Sequence, residues 1–333
     1  MSIKNKSKNR PLSYTLAINE AFHQTMAADP NVILIGQGVK SPWYVGNTAL
    51  GLLERFGEER IIDTPVSENA ITGAAVGAAI AGLKPIVVHP RVDFMMYAID
   101  PIINQAAKWR YMFGGEAHVP VVIWGIINRG GEQGAQHSQA LQAMFAHVPG
   151  LKVVMPATSY DTKGLMIAAI RDPNPVIFID DRWLYGNQDH VPEKMYEVPI
   201  GKGVIKRAGT DVTLVAISFI VKEAMAAAEI LAQQKISVEV IDPRSLKPFD
   251  EKLVAQSLYK TGRLVVADTG WWTGGVAADI IARITERYFK YLKAPPRRVT
   301  LPDIPAPTSR SLEKVYYRYA QDIVKTVQEM VKK

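Results

Sequence analysis

Two α/β domains, each built on a doubly wound sheet, are what this sequence predicts, and three observations carry the prediction. Short β-branched or apolar runs alternate with helical segments along nearly the whole chain, the pattern of a parallel sheet with crossover helices. At 333 residues the chain exceeds one ordinary core and suggests about two domains. The alternation breaks once, from Leu184 to Pro199, where Gly186, Pro192 and Pro199 punctuate a stretch without periodicity. The expected layout is a basic disordered tail over 1–12, a first domain over 13–186, a linker over 187–207 and a smaller second domain over 208–333.

Leu16, Ile18, Ala21, Phe22 and Met26 recur with helical period, so a helix is expected over 13–29 with Ser13 as its N-cap. Val32 to Gly36 is a buried strand, 37–47 a loop with Pro42, Trp43 and Tyr44, and 49–56 a short helix. A strand at 61–64 is stopped by Pro65. A strand at 85–88, a long helix over 93–113 and a strand at 119–124 follow. The glycine-rich loop 128–137 leads through a helix to a strand at 151–155, a helix over 160–171 and a strand at 175–180. In the second domain, strands are expected at 212–217, 237–241, 264–267 and 298–301. Helices lie between them, and the last helix spans 311–333.

An apolar fraction of 48% with 21% charged residues belongs to a soluble globular protein. No apolar run reaches the ~18 residues of a membrane span, and no signal peptide opens the sequence, so a cytoplasmic home is expected. The chain has no cysteine, which excludes disulfides, thiolate metal sites and cysteine nucleophiles. The net charge of +7 is dispersed, often beside Asp or Glu, and no nucleic-acid motif accompanies it. Scattered solvating charge explains it better than a nucleic-acid partner.

The chemistry centres on Ile61 to Gly82. After the strand comes one carboxylate, Glu68, followed by a helix of Ala, Gly and Ile. Because nothing on that helix makes a solvated face, it is expected to be buried against close neighbours. Taken alone, Glu68 reads as a first-turn acid favoured by the helix dipole, with Ser67 as cap. Its place outside a strand end, where ligands of open α/β sheets bind, also suits proton exchange with a ligand nitrogen. His137 ends the glycine loop and suits proton transfer or an oxyanion contact, or else a backbone-bonded helix start. His147, among apolar residues, reads as structural. Phe94 is core by itself, although an aromatic at a strand end stacks well on a flat ring. The helix ending at Ala169, Ile170 and Arg171 leaves orphan carbonyls beside Asp172 and Asn174, a place for a monovalent cation or a plain turn. Gly73, Gly77 and Gly82 lack dinucleotide spacing and read as close packing. Trp271 and Trp272 read as a domain or subunit contact.

Six segments together resemble the beta subunit of the first component of the 2-oxoacid dehydrogenase complexes, the pyruvate, branched-chain and acetoin enzymes. They are Ile62 to Glu68, Ala98 to Lys108, Gly134 to Gln139, His147 to Val154, Ala169 to Pro175 and Ile241 to Pro248. The resemblance implies a transketolase-like pyrimidine-binding domain followed by a transketolase-like C-terminal domain. It also implies thiamine diphosphate, oxidative decarboxylation of a 2-oxo acid and acyl transfer to a lipoyl group. In such proteins the acid matching Glu68 bonds a pyrimidine nitrogen of the cofactor and Phe94 packs on that ring. Gln37 and Val66 fall at the cofactor, and His137 contacts substrate or assists acyl transfer. A potassium site would map to the carbonyls of Val121, Ala169, Ile170 and Asp172 with the Asn174 side chain.

The family holds magnesium and diphosphate at a Gly-Asp-Gly motif, yet no glycine here precedes an aspartate. An alpha subunit is therefore expected to supply magnesium and that half of the site, in an α2β2 heterotetramer that works with a lipoyl acyltransferase. Three stretches depart from the family: Gln37-Gly38, His89-Pro90-Arg91 and Ile126 to Arg129. A cation at Arg91 or Arg129 suits an anionic group on the substrate. The alternatives are the C-terminal subunit of a split transketolase or related carboligase, and a scaffold subunit without turnover; retention of Glu68 and His137 argues against the last.

Overall fold

The computed structural model describes residues 10–41 and 45–332. Residues 1–9 of the tail, and Pro42, Trp43 and Tyr44 of the first loop, lie outside the described residues. Pro11 and Leu12, at the end of the segment read as a tail, are strand residues. Strand β1 (Pro11–Ser13) leads into helix α1 (Tyr14–Ala28), and the Ser13 side chain accepts from Leu16 N at 3.3 Å. Such a cap contributes about 1 kcal/mol. Then follow β2 (Val32–Gly36), α2 (Leu52–Phe56), β3 (Ile61–Asp63), α3 (Glu68–Ile80) and β4 (Lys84–His89).

The long helix expected over 93–113 is three pieces. A 3-10 turn (Phe94–Ala98) passes through a π-helical segment (Pro101–Ala106) into α4 (Ala107–Met112). Pro101 explains the break, since it has no N–H to donate back into the preceding turn. Next come β5 (Val122–Ile127), α5 (Gln142–His147), β6 (Lys152–Val154), α6 (Ser159–Arg171) and β7 (Val176–Asp181). Strand β8 (Gln188–His190) pairs antiparallel with β1, and β9 (Val204–Arg207) opens the second sheet; both fall in the segment expected to be a linker, 187–207. The rest is β10 (Val212–Ala216), α7 (Ile220–Gln233), β11 (Val238–Asp242), β12 (Ser245–Lys247), α8 (Glu251–Thr261), β13 (Leu264–Trp271), α9 (Val276–Tyr288), β14 (Arg297–Leu301), α10 (Arg310–Tyr316) and α11 (Ala320–Val331).

The first sheet has the order β12-β6-β7-β5-β4-β2-β3, parallel except for β12, which is lent by the second half of the chain. The second has the order β14-β13-β10-β11-β9, parallel except for β9. Burial on both faces is why the central strands read as continuous apolar runs.

Helix α3 departs from expectation. Ile71, Thr72, Ala75, Val76 and Ala79 are buried, but Ala70, Gly73, Ala74, Gly77 and Ile80 are exposed. A methyl group added at Gly73 or Gly77 would meet nothing within 4 Å. Among the described residues, the chain covers one side of this helix only. The Ser67 side chain makes no capping bond either.

The two halves are joined by a buried ionic cluster. Asp161 on α6 meets Arg244 at 2.9 Å and Lys206 at 3.1 Å. Beside it Asp242 is fully buried, and one of its carboxyl oxygens has no partner. Burial, reinforced by the charge of Asp161, pushes the Asp242 carboxyl up to about 7. An unfolded aspartate titrates near ~3.9. Between these values the native state keeps a proton that the unfolded chain releases, so this group's contribution to stability falls as pH rises through that window. Asp242→Asn should therefore gain on wild type, by on the order of 2 kcal/mol, between pH 5 and pH 8. Urea unfolding at the two pH values measures this, and identical pH slopes would refute the assignment.

Candidate active site

The residues singled out by the sequence for the cofactor and the substrate collect along one carboxyl edge of the first sheet. Gln37 follows β2, Val66 and Glu68 follow β3, Arg91 and Phe94 follow β4, and the loop to His137 follows β5; Arg182 and Trp183, which the sequence did not single out, follow β7. These strands are neighbours in the order β3-β2-β4-β5-β7. Edges of this kind are where ligands of open parallel sheets bind.

Glu68 begins α3, half-buried, and its carboxylate has no hydrogen-bond or ion-pair partner among the described residues. Gln37 is exposed and Val66 is 67% exposed. Phe94 and His137 are brought together: their rings meet edge to face, with centroids 5.3 Å apart. Asp93 fastens the two segments, because its Oδ1 accepts from the backbone N of Gln139 at 3.1 Å and from its Nε2 at 2.9 Å. Burial raises the Asp93 carboxyl above the usual range.

Behind α3, His89 is wholly buried, and its Nε2 lies 3.0 Å from Thr72 Oγ1. Desolvation lowers this imidazole to about 4, so it is neutral at pH 7. The pair ties β4 to the helix that starts with Glu68. The second domain reaches the His137 loop as well. Gly130 N donates to the Tyr317 hydroxyl at 3.2 Å, and Glu132 N donates to Glu313 Oε1 at 3.0 Å. None of these supports was found from sequence. Asp93 at a turn start was the one readable signal, whereas Tyr317 and Glu313 lie far away along the chain.

Arg129 is not available to a substrate. It is 5% exposed, paired with Asp181 at 2.5 Å, and lies over the Trp183 and Tyr317 rings. Gly130 follows at φ +72°, where a Cβ would come within 2.5 Å of the Trp183 ring. His147, read as structural, is exposed at the end of α5, without a partner among the described residues. Trp271 donates to the Tyr316 hydroxyl at 3.0 Å, a contact within the second domain, and Trp272 lies under Arg298.

At the carboxyl end of α6, Ala169 O accepts from Asp172 N at 3.2 Å, and Val121 O accepts from Val176 N at 3.0 Å. Asp172 Oδ1 accepts from Asn174 N at 2.9 Å, and its other oxygen pairs with Lys152. Each carbonyl keeps a second lone pair for a cation.

Comparison with known proteins identifies the two domains. Residues 10–188 match the family described as "Transketolase, pyrimidine binding domain", and residues 201–323 match "Transketolase, C-terminal domain". The fold is that of transketolase-like proteins. A split-gene transketolase solved as an inactive beta4 tetramer superposes with a TM-score of 0.78, at 22% identity, over 96% of this chain and 98% of that one; it shows the shared fold. The chain is 44% identical to the beta subunit of the acetoin:2,6-dichlorophenolindophenol oxidoreductase of Cupriavidus necator, over 97% of this chain and 98% of that protein. It is 42% identical to the pyruvate dehydrogenase E1 component subunit beta of Rickettsia felis, over 94% and 96%. A mitochondrial pyruvate dehydrogenase E1 subunit beta-1 of Arabidopsis thaliana is 44% identical over 93% and 86%. This chain belongs to that family of transketolase-like beta subunits. No helix among the described residues is long and apolar enough to cross a membrane.

Removing the Tyr317 hydroxyl should loosen the loop that carries His137. Tyr317→Phe is expected to cost about 1 kcal/mol and to speed amide hydrogen exchange over 128–137 more than in the sheet. Unchanged exchange in the loop would show that the second domain does not hold it.

Proposed function

We propose that this chain is the beta subunit of a thiamine diphosphate-dependent 2-oxoacid dehydrogenase and is active only when an alpha subunit completes the site. The observation that carries the reading is the unpartnered Glu68 carboxylate on the same sheet edge as the Phe94–His137 pair, in a chain over 40% identical to two kinds of E1-type beta subunit.

The residues fit the pyrimidine end of thiamine diphosphate. A half-buried carboxylate with no internal partner is ready to hold a proton against a ring nitrogen. Phe94 offers an apolar face for a flat ring, while Gln37 and Val66 line the same edge. Thiamine diphosphate, when bound, supplies the electron sink on which a 2-oxo acid loses carbon dioxide. This chain's part is to orient that group, exclude water on one side and move protons at Glu68. His137 serves at the substrate side, within reach of an oxygen that gains or loses charge.

The diphosphate and magnesium half is assigned to the alpha subunit. The chain has no Gly-Asp step, and magnesium needs an oxygen-rich site. The uncovered face of α3 and the exposed Val66 give a second subunit a surface to close on. An α2β2 assembly with a lipoyl acyltransferase as acyl acceptor follows from this reading. Potassium at Val121, Ala169, Ile170, Asp172 and Asn174 would brace the carboxyl end of α6. The split-transketolase alternative has only the common fold in its favour.

Glu68→Gln is expected to lower turnover of the α/β assembly at least ~100-fold while leaving its melting temperature within a few degrees of wild type. Near-normal turnover would remove Glu68 from its role. The assay compares pyruvate, branched 2-oxo acids and sugar phosphates. Acceptor reduction that depends on a 2-oxo acid supports the reading, and ketol transfer between sugars overturns it. If the purified chain alone binds thiamine diphosphate tightly and decarboxylates a 2-oxo acid, the shared site is wrong.

A further inference from the structure

Between the ends of β4, β5 and β7, two guanidinium groups and two carboxamides are joined in a row. Arg91 Nη2 donates to Gln133 Oε1 at 3.2 Å, and Asn128 Nδ2 donates to the same oxygen at 3.2 Å. Arg182 Nη1 donates to Asn128 Oδ1 at 3.0 Å. Neither arginine has a carboxylate within ion-pairing distance among the described residues. Of the neighbouring acids, Asp181 pairs with Arg129, and Asp93 gives its Oδ1 to Gln139 while its buried Oδ2 has no partner among the described residues and forms no ion pair with either arginine. Glu132 is exposed on the loop beside Gln133.

Arg91 is half-buried, and its Nε is shut off from water with no partner. Leaving a buried donor unused is costly. Among the described residues only Gln133 bonds this guanidinium, so Nη1 and the second hydrogen of Nη2 remain for an end-on bidentate oxyanion. Its position gives that anion a role. Arg91 starts the turn that carries Phe94, whose N donates to Arg91 O at 3.1 Å. Gln133 lies on the loop that ends at His137.

We propose that Arg91, oriented by Gln133, is a specificity-determining receptor for a second oxyanion, a carboxylate or a phosphate-like group, at the far end of the 2-oxo acid donor. The inference rests on the decarboxylating function proposed above. A neutral-tailed donor would leave the Arg91 fork desolvated and unpaired, and that unmet cost is what discriminates. Arg182 is exposed and adds long-range attraction rather than a bidentate contact.

The α/β assembly is assayed with 2-oxoglutarate and with 2-oxopentanoate, its neutral-tailed counterpart of equal chain length. Calorimetry compares binding of the unreactive glutarate and 3-phosphonopropionate with that of butyrate. Wild type should favour 2-oxoglutarate in kcat/KM by about tenfold or more, and Arg91→Met should erase that preference chiefly through KM, with Arg91→Lys retaining part of it. Glutarate or 3-phosphonopropionate should bind about tenfold more weakly to Arg91→Met, and the tighter of the two identifies the anion. A wild type that prefers the neutral donor, or an Arg91→Met that depresses both donors equally, overturns the proposal. If Arg91→Met does not fold, Gln133→Met decides: anion binding as tight as wild type overturns it, and weakened binding supports it. Arg91-dependent glutarate binding without turnover of any 2-oxo acid would sustain the receptor and sink the proposed function. Turnover of neutral donors without anion dependence would do the reverse.

Discussion

The parallel register of β3, β2, β4 and β5 sets where every group of the site can be. Gly36 on β2 pairs with Asp63 on β3 and with Val88 on β4, and His89 pairs with Gly125 on β5. Three strands therefore end at nearly the same height, and the segments that leave them start side by side. The spacing at that point is tight: a Cβ on Gly36 would lie 2.9 Å from Val88 O. A slip of one residue would also turn each strand's buried side chains toward the opposite layer. Glu68, Phe94 and His137 come from distant stretches of sequence, and this register brings their segments to one edge of the sheet.

Around that edge the supports are polar and internal. His89 is kept neutral by burial and meets Thr72, so the strand end and α3 are joined without a buried charge. Asp93 joins the Phe94 turn to the His137 loop through Gln139. The Arg129–Asp181 pair stands under Trp183 and Tyr317, where loss of one partner would strand the other at a cost of about 3–5 kcal/mol. Through Tyr317 and Glu313 the second domain then grips the loop directly. The smaller domain thus does more than enlarge the protein: it fixes the segment on which His137 rides.

Much of this was legible because it is local. The apolar runs of β2, β4 and β7 and the Ser13 cap follow from period and propensity. The place of Glu68 outside a strand end follows from Pro65 and the helix after it. What escaped was non-local or finely balanced. Pro101 divides the expected long helix, which apolar period alone does not reveal. Strand β12 crosses to the first sheet, a pairing that three residues cannot announce. Arg129 looked like a free cation because its partner, Asp181, lies on another strand. Arg91 looked the same in sequence, yet the structure gives it an amide and no acid.

Helix α3 unites the two halves of the problem. Its sequence demands burial on all sides, and its own chain provides burial on one. Small residues on the open side carry little apolar area, so they gain from a partner only if a backbone or a flat surface approaches closely. The same helix begins with a carboxylate that has no partner among the described residues, and the chain has no phosphate-binding Gly-Asp step. Under the function proposed above, an incomplete packing surface and an incomplete binding site at one helix have one explanation: the subunit that covers α3 also delivers the rest of the cofactor site. Assembly and catalytic competence would then be one event, because closing the helix face brings the phosphate-binding groups opposite Glu68.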